Sequence, residues 1–496
     1  MTDIGRRRGA TFATLIALIA LATVAAALAG CAVGPNYVKP ATPVAPQFTG
    51  TTQGAGTTQG AFSPEDAQAQ FWTQFGDPTL DRLIDEALAA NHDLRIALAH
   101  LVEARADRRH SQFDLAPTIT ASGGYTKERF PAVSSPTGST FSQQFYDAGF
   151  DAFWELDFFG RIRRNIEAQS AQVEGAEAGL RDAQVSVTAE VARTYFELRG
   201  EQARFAVAWR NVENQRATLQ LTQARLDAGR STELDTARAQ AQLSATLTTI
   251  GPLEAAIARS IHRLSVLTGR QPSALRELLA PPRELPDLPQ LTAVGDPAGL
   301  LRRRPDIRVA ERQLAASTAL VGVAIADLFP KVTFTGSFSY AGAVPSALGT
   351  SASRGYTIAP GITWAAFDLG RVRAEVAGSR ARADAALAGY EQTVLRALEE
   401  TENALITHAR TRDSLGDAAA AAAASQTAAR IARTRYEGGA ADFLDVLDAE
   451  RTQLVDEDRL AQSRTDAATS LVAVYKALGG GWQGAALPRY VRQAGG

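Results

Sequence analysis

Residues 146–157 read Tyr146-Asp147-Ala148-Gly149-Phe150-Asp151-Ala152-Phe153-Trp154-Glu155-Leu156-Asp157. Tyr146, Ala148, Phe150, Ala152, Trp154 and Leu156 fall on one face of an extended chain. Asp147, Gly149, Asp151, Glu155 and Asp157 fall on the other, with Phe153 the exception. Successive side chains of a strand point to opposite faces, so the stretch predicts a strand that is apolar on one side and acidic on the other. Gly160-Arg161 then opens a proline-free helical stretch, about 161–228. At 1.5 Å per residue it would reach about 100 Å.

The same unit returns about 210 positions later. Trp154, Gly160 and Arg161 recur as Trp364, Gly370 and Arg371, and Leu226-Asp227-Ala228-Gly229 as Tyr436-Glu437-Gly438-Gly439. Upstream, Asp93-Leu94-Arg95-Ile96-Ala97 matches Asp306-Ile307-Arg308-Val309-Ala310. Alternation also marks 118–125, 332–340 and 356–364, with Pro- and Ser-rich loops at 131–144 and 341–355. A second long helix is predicted over about 371–437, and return helices over about 232–268 and 442–478.

Strands of this length cross a bilayer when tilted, and apolar-out, polar-in alternation marks transmembrane barrels. The competing reading is an ordinary half-buried antiparallel sheet. Four strands cannot close a barrel, and open edges cannot face lipid. Several chains would have to pool strands. Two give eight, with a lumen filled by side chains; three give twelve, with an open lumen, and transport favours three.

The N-terminus supports a membrane setting. Arg6-Arg7-Arg8 precedes an apolar run from Thr11 to Leu28, as in a secretory signal. The run ends in Leu28-Ala29-Gly30-Cys31, and Cys31 is the only cysteine. The segment resembles a bacterial lipobox, which implies cleavage before Cys31 and acylation there. Ala32 in place of Asp favours the outer membrane by the same resemblance. Residues 32–63, rich in Pro, Gly, Thr and Gln, read as an extended tether. A net charge of −2 suggests no nucleic-acid partner.

In the helices, Leu198, Phe205, Val212, Leu219 and Leu226 recur every seven residues as a coiled-coil seam, and Ala418 to Ala424 suits close backbone approach. Gly251-Pro252 should kink or interrupt the first return helix. Asp93 and Asp306 read as helix N-caps. No phosphate loop, nucleophile elbow or HExxH is present. The chemistry-bearing stretch is the second distal turn, Tyr436 to Asp448. Asp445 and Asp448 share one helix face; around an axis they would form carboxylate rings that favour cations, with Leu444 or Phe443 an apolar constriction. The same acids also suit an N-cap at Asp442 and dipole-favoured first-turn positions.

Further motifs are Val33-Gly34-Pro35-Asn36-Tyr37, Phe75-Gly76-Asp77-Pro78, Arg303-Arg304-Pro305-Asp306-Ile307-Arg308, Phe367-Asp368-Leu369-Gly370-Arg371, Leu444-Asp445-Val446-Leu447-Asp448-Ala449 and Tyr475-Lys476-Ala477-Leu478-Gly479-Gly480-Gly481-Trp482. Together with the lipobox they resemble the TolC-like outer membrane factors, in the lipoprotein branch of the OprM and NodT type, over nearly the whole precursor. The resemblance implies an α+β membrane protein. It would be a homotrimer whose twelve-stranded transmembrane β-barrel, four strands per chain, continues as a long α-helical coiled-coil barrel. It implies the exit duct of a tripartite efflux pump in the outer membrane of a Gram-negative bacterium. The partners would be a periplasmic membrane-fusion adaptor and an inner membrane transporter of the resistance-nodulation-division type. It implies no enzymatic activity and no cofactor beyond the lipid on Cys31.

By the same resemblance the periplasmic gate falls on Leu444, Asp445 and Asp448, with Tyr436 the tip tyrosine and Asp235 its partner on the other hairpin. The family's distal-turn arginine is Ala441 here, so a latch from it to Asp235 is missing; Arg435 and Arg230 stand nearby. The expected layout is a signal peptide at 1–30, a lipidated tether at 31–76, a first repeat at 77–295, a second at 296–481 and a tail at 482–496. Strands are expected at about 118–158 and 331–368, and helical hairpins at about 160–268 and 370–479. A type I protein secretion duct is the alternative function, and a lipid-anchored coiled-coil spacer a third reading.

Overall fold

The computed structural model describes residues 32–49, 62–65, 68, 70–134, 138–289 and 292–482. The signal segment, Cys31 and the tail beyond Trp482 lie outside the described residues. The main elements in chain order are α1 (Pro78–Ala90), α2 (His92–Phe113), β1 (Thr118–Phe130), β2 (Phe141–Leu156), α3 (Arg161–Asp227) and α4 (Glu233–Leu267). They continue as α5 (Pro297–Arg303), α6 (Pro305–Ala326), β3 (Lys331–Gly342), β4 (Arg354–Thr363), α7 (Leu369–Glu437) and α8 (Phe443–Ala477). A two-residue parallel pair, Phe62–Ser63 with Thr292–Ala293, adds a small second sheet. The chain divides into two compact units, one of Met1–Pro40, Leu101–Ala176 and Val309–Glu391, the other of Ala41–His100, Glu177–Arg308 and Gln392–Gly496.

The first unit holds an antiparallel sheet in the order β1-β2-β3-β4. Its register gathers Ala121, Phe150, Phe338 and Tyr356 in one row. The adjacent row, on the opposite face, is Thr120, Asp151, Ser337 and Thr357. The predicted alternation is therefore shared across all four strands. Twelve of the thirteen residues of β1 are exposed, and so are nine of the ten of β4. Among the described residues β1 and β4 have no strand partner on their outer edges, and Ile119, Tyr356 and Ile362 on them stay exposed within this chain.

Each strand pair is pinned at its helical end by a tryptophan. Trp154 Nε1 donates to the Leu115 carbonyl at 2.9 Å, and Trp364 Nε1 to the Leu328 carbonyl at 3.0 Å. Below Trp154, both Asp157 oxygens accept from the first amides of α3, Ile162 N at 3.1 Å and Arg163 N at 2.9 Å. Helix α6 is long and apolar enough to cross a membrane by length and composition, but half of that stretch is buried within the chain. Its Ala315 and Ala316 pack on Ala171 of α3.

The second unit centres on Phe71, Trp72, Phe75, Leu80, Leu83 and Ile84 packed on Tyr195 and Phe196 of α3, Leu264 of α4 and Tyr475 of α8. Asp77 caps α1 through Thr79 N at 2.8 Å, and its second oxygen accepts from the Tyr195 hydroxyl. Arg303 Nε donates to Leu478 O at 2.8 Å and Arg304 Nη1 to Ala477 O at 2.7 Å. The arginine motif thus satisfies the orphan carbonyls at the end of α8.

Several expectations change. Asn91 rather than Asp93 caps α2, accepting from Asp93 N at 2.8 Å and Leu94 N at 3.2 Å. Asp306 lies in the first turn of α6 behind Pro305, whose fixed φ suits a first helical position. Helix α4 is not interrupted at Pro252, which lies inside it. The carbonyl that proline leaves without a donor belongs to Thr248, in an exposed stretch where water reaches it. On α3, Leu198 and Val212 are buried, but Phe205, Leu219 and Leu226 are only half-buried. Its distal half also buries a row of polar residues, Asn211, Gln215, Thr218 and Thr222. On α7, Ala418 and Ala422 are buried one turn apart. Residues 32–37 are bonded to the first unit rather than extended as a tether.

Candidate functional site: the distal turns

Two turns close the helical hairpins of the second unit. Gly229 N bonds Leu226 O at 2.8 Å and Arg230 N bonds Arg225 O at 2.7 Å. Gly439 N bonds Tyr436 O at 3.0 Å and Ala440 N bonds Arg435 O at 2.8 Å. Both are Schellman caps, and both place glycine at positive φ, 68° at Gly229 and 75° at Gly439, where a side chain would be strained.

In the second turn, α8 presents two faces. Phe443, Val446 and Glu450 point inward and are buried. Leu444, Asp445 and Asp448 lie on the other side; Leu444 is 55% exposed and both carboxylates are exposed. Asp442 holds the N-cap position, but its side chain accepts no capping hydrogen bond. Three predicted gate residues therefore share one accessible helix face.

Tyr436 and Asp235 sit elsewhere. The Tyr436 ring is buried against Ala239, Phe443 and Val446, with the Arg225 guanidinium 4.4 Å from its centroid. Arg225 Nη1 also donates to the Tyr436 carbonyl at 2.6 Å. The Tyr436 hydroxyl is buried and has no hydrogen-bond partner among the described residues. Asp235 belongs to a capping box at the start of α4: its Oδ2 accepts from Thr232 N at 3.1 Å, the Thr232 hydroxyl at 2.8 Å and the Ser231 hydroxyl at 3.1 Å. Slight burial pushes its carboxyl up, but the Thr232 and Ser231 bonds and the nearby Arg238 outweigh this and hold it below the usual range. Arg435 turns back to its own Ala440 carbonyl at 3.4 Å.

The polar seam of α3 finds its partners here, and no local sequence signal announces them. Arg433 Nη2 of α7 donates to Asn214 O at 2.9 Å, Thr218 Oγ1 at 2.7 Å and Glu450 Oε1 at 2.8 Å. The Thr218 hydroxyl donates to the same Glu450 oxygen at 2.7 Å. Further along, Arg204 forks onto Asp458 at 2.8 and 3.0 Å. This clasp ties the inward face of α8 to α3 and α7, and so orients the outward face that carries Leu444, Asp445 and Asp448. No group of three or more His, Cys, Asp and Glu side chains among the described residues could hold a metal ion.

Among the described residues, a sheet open at both edges is joined in one chain to helical hairpins with an exposed acidic tip, an arrangement that fits a membrane channel. The outer membrane efflux protein family matches residues 83–270 and again 297–480, and the chain belongs to that family. The probable efflux pump outer membrane protein TtgC of Pseudomonas putida is 32% identical over 473 residues, covering 94% of this chain and 96% of that protein. The solved outer-membrane channel OprN is 44% identical, with a TM-score of 0.84, over 91% of this chain and all of that one. The open state of the MtrE outer membrane channel of Neisseria gonorrhoeae is 27% identical, with a TM-score of 0.78, over 92% of this chain and 99% of that one. The fold is that of TolC-like outer membrane channels, and the protein is an outer membrane efflux channel without enzymatic activity.

Proposed function

We propose that three copies close one twelve-stranded barrel in the outer membrane and form the exit duct of a tripartite pump. The observation that carries this reading is the four-stranded sheet whose two edge strands are exposed and have, among the described residues, no partner on their outer sides. Backbone groups at an open edge cannot remain unbonded in lipid, so β1 of one copy pairs with β4 of the next. Each chain contributes two staves of a six-stave wall, from repeats over 77–295 and 296–481. Cys31 carries the lipid anchor, and the partners are a periplasmic membrane-fusion adaptor and a resistance-nodulation-division transporter, which supplies the driving force. Similarity to the antibiotic efflux pump outer membrane protein ArpC and to a toluene efflux pump outer membrane protein supports small molecules as cargo over secreted proteins.

The gate lies on the outward face of α8. Leu444 forms an apolar ring, and Asp445 and Asp448 form carboxylate rings that favour cations. Tyr436 and Asp235 act from behind, through the packing of the two turns. Purified full-length protein reconstituted in planar bilayers should give single-channel currents with cation preference. An intact, folded preparation that never conducts would refute the duct.

A further inference from the structure

We infer that Arg164 is the centre of a clip that fastens the first residues after Cys31 to the junction of β2 and α3. This fixes where the acylated end of the chain is held, and that second half rests on the lipid reading above.

The segment from Ala32 to Tyr37 forms no helix or strand, so its carbonyls have no ladder partners. One buried arginine collects them. Arg164 Nε donates to Val33 O at 3.1 Å, and Nη2 donates to Ala32 O at 3.4 Å, Gly34 O at 3.2 Å and Asn36 Oδ1 at 2.8 Å. Its remaining nitrogen, Nη1, is held by Glu167 Oε2 at 2.8 Å. From the segment's side, Val33 N donates to Phe159 O at 3.1 Å. The fit leaves no spare room: a Cβ on Gly34 would lie 2.5 Å from Gly322 Cα, and one on Gly322 would lie 2.9 Å from Arg164 Cδ. Tyr37 closes the clip, donating to Glu311 Oε1 at 2.9 Å under the Arg312 guanidinium.

A guanidinium whose Nε and Nη2 face four oxygens of one six-residue segment, with Nη1 fixed by Glu167, is a receptor for that segment. Cys31 is one peptide bond from Ala32, so on the lipid reading its acyl chains are attached next to a held segment rather than at the end of a loose one. The lipid then serves as a fixed mark of the periplasmic membrane surface against the sheet, not as a loose leash.

The test is hydrogen–deuterium exchange, read by mass spectrometry, on the full-length protein in detergent. Arg164→Ala should speed exchange in 32–37 by about tenfold or more, while β2 and the rest of α3 keep their wild-type rates. Asn36→Ala, which removes one acceptor from the segment and leaves α3 intact, should speed it severalfold. Unchanged exchange in 32–37 in both variants, or exchange as fast as a free peptide in the wild type, would overturn the clip. The mass of the N-terminal peptide reports acylation separately: an unmodified Cys31 ahead of a protected segment retires the lipid anchor and leaves the clip standing.

Discussion

Arg433→Met isolates the clasp behind the gate. The substitution keeps most of the side-chain length and removes the charge. Glu450, 6% exposed, would retain only the Thr218 hydroxyl at 2.7 Å. A hydrogen bond to a charged group contributes about 1.5–3 kcal/mol, and the Arg433 side chain is about a third exposed, so the middle of that range applies. A loss of about 2 kcal/mol is roughly a thirtyfold rise in local opening of the first turns of α8. Burial pushes the Glu450 carboxyl up, against the Thr218 bond and the Arg433 charge, which pull it down. A carboxyl whose folded value is raised contributes stability at low pH that is lost as pH rises through that folded value. Removing Arg433 takes away a lowering influence and moves the folded value further up. The variant should therefore open most at neutral pH and recover at acid pH, once pH has fallen through the raised folded value and Glu450 takes up a proton. Exchange of the peptide spanning Phe443–Asp456 at both pH values reads this directly. Wild-type rates at neutral pH, or a rise that does not recover in acid, would refute the reasoning.

Two further outcomes follow from the tip. Replacing Asp445 and Asp448 together with Ala should raise single-channel conductance and weaken cation preference; unchanged values would remove both residues from the gate. Thr232→Ala breaks the capping box and should cost about 1 kcal/mol, seen as faster exchange over 231–238. Because the Asp235 carboxyl is held low, wild-type stability of this turn is present above its unfolded value and lost as pH falls through the folded one. The variant should show less of that loss, and an equal acid sensitivity would contradict the assignment.

The elements were legible where one residue's neighbours decide its conformation. Period-two alternation located all four strands, and Gly229 and Gly439 located both turns because left-handed caps select glycine. Strand length was underestimated: Thr126 to Arg129 pair with Phe145 to Ser142, but these residues are mostly polar on both faces, so alternation is silent there. The same locality explains Asn91, whose capping role depends on a helix starting one residue before Asp93. The seam along α3 was only partly legible, for a different reason. Leucine spacing marks the apolar positions, whereas Asn211, Gln215, Thr218 and Thr222 are buried because partners such as Glu450, more than 200 positions away, come to meet them. At the site, the face of Leu444, Asp445 and Asp448 follows from helical spacing, but Arg225 over Tyr436 and Arg433 on Glu450 arise only from tertiary packing.

The central claim is that β1 of one copy pairs with β4 of the next until three copies close the ring. Paired cysteines, one scanned along Thr118–Phe130 and one along Arg354–Thr363, test it in intact outer membranes, with the wild-type chain and single-cysteine variants as the control for linkage through Cys31. Oxidation should give a ladder of one, two and three linked chains that stops at three. A ladder that stops at two or runs past three, or no linkage at any register in folded protein, would contradict the account.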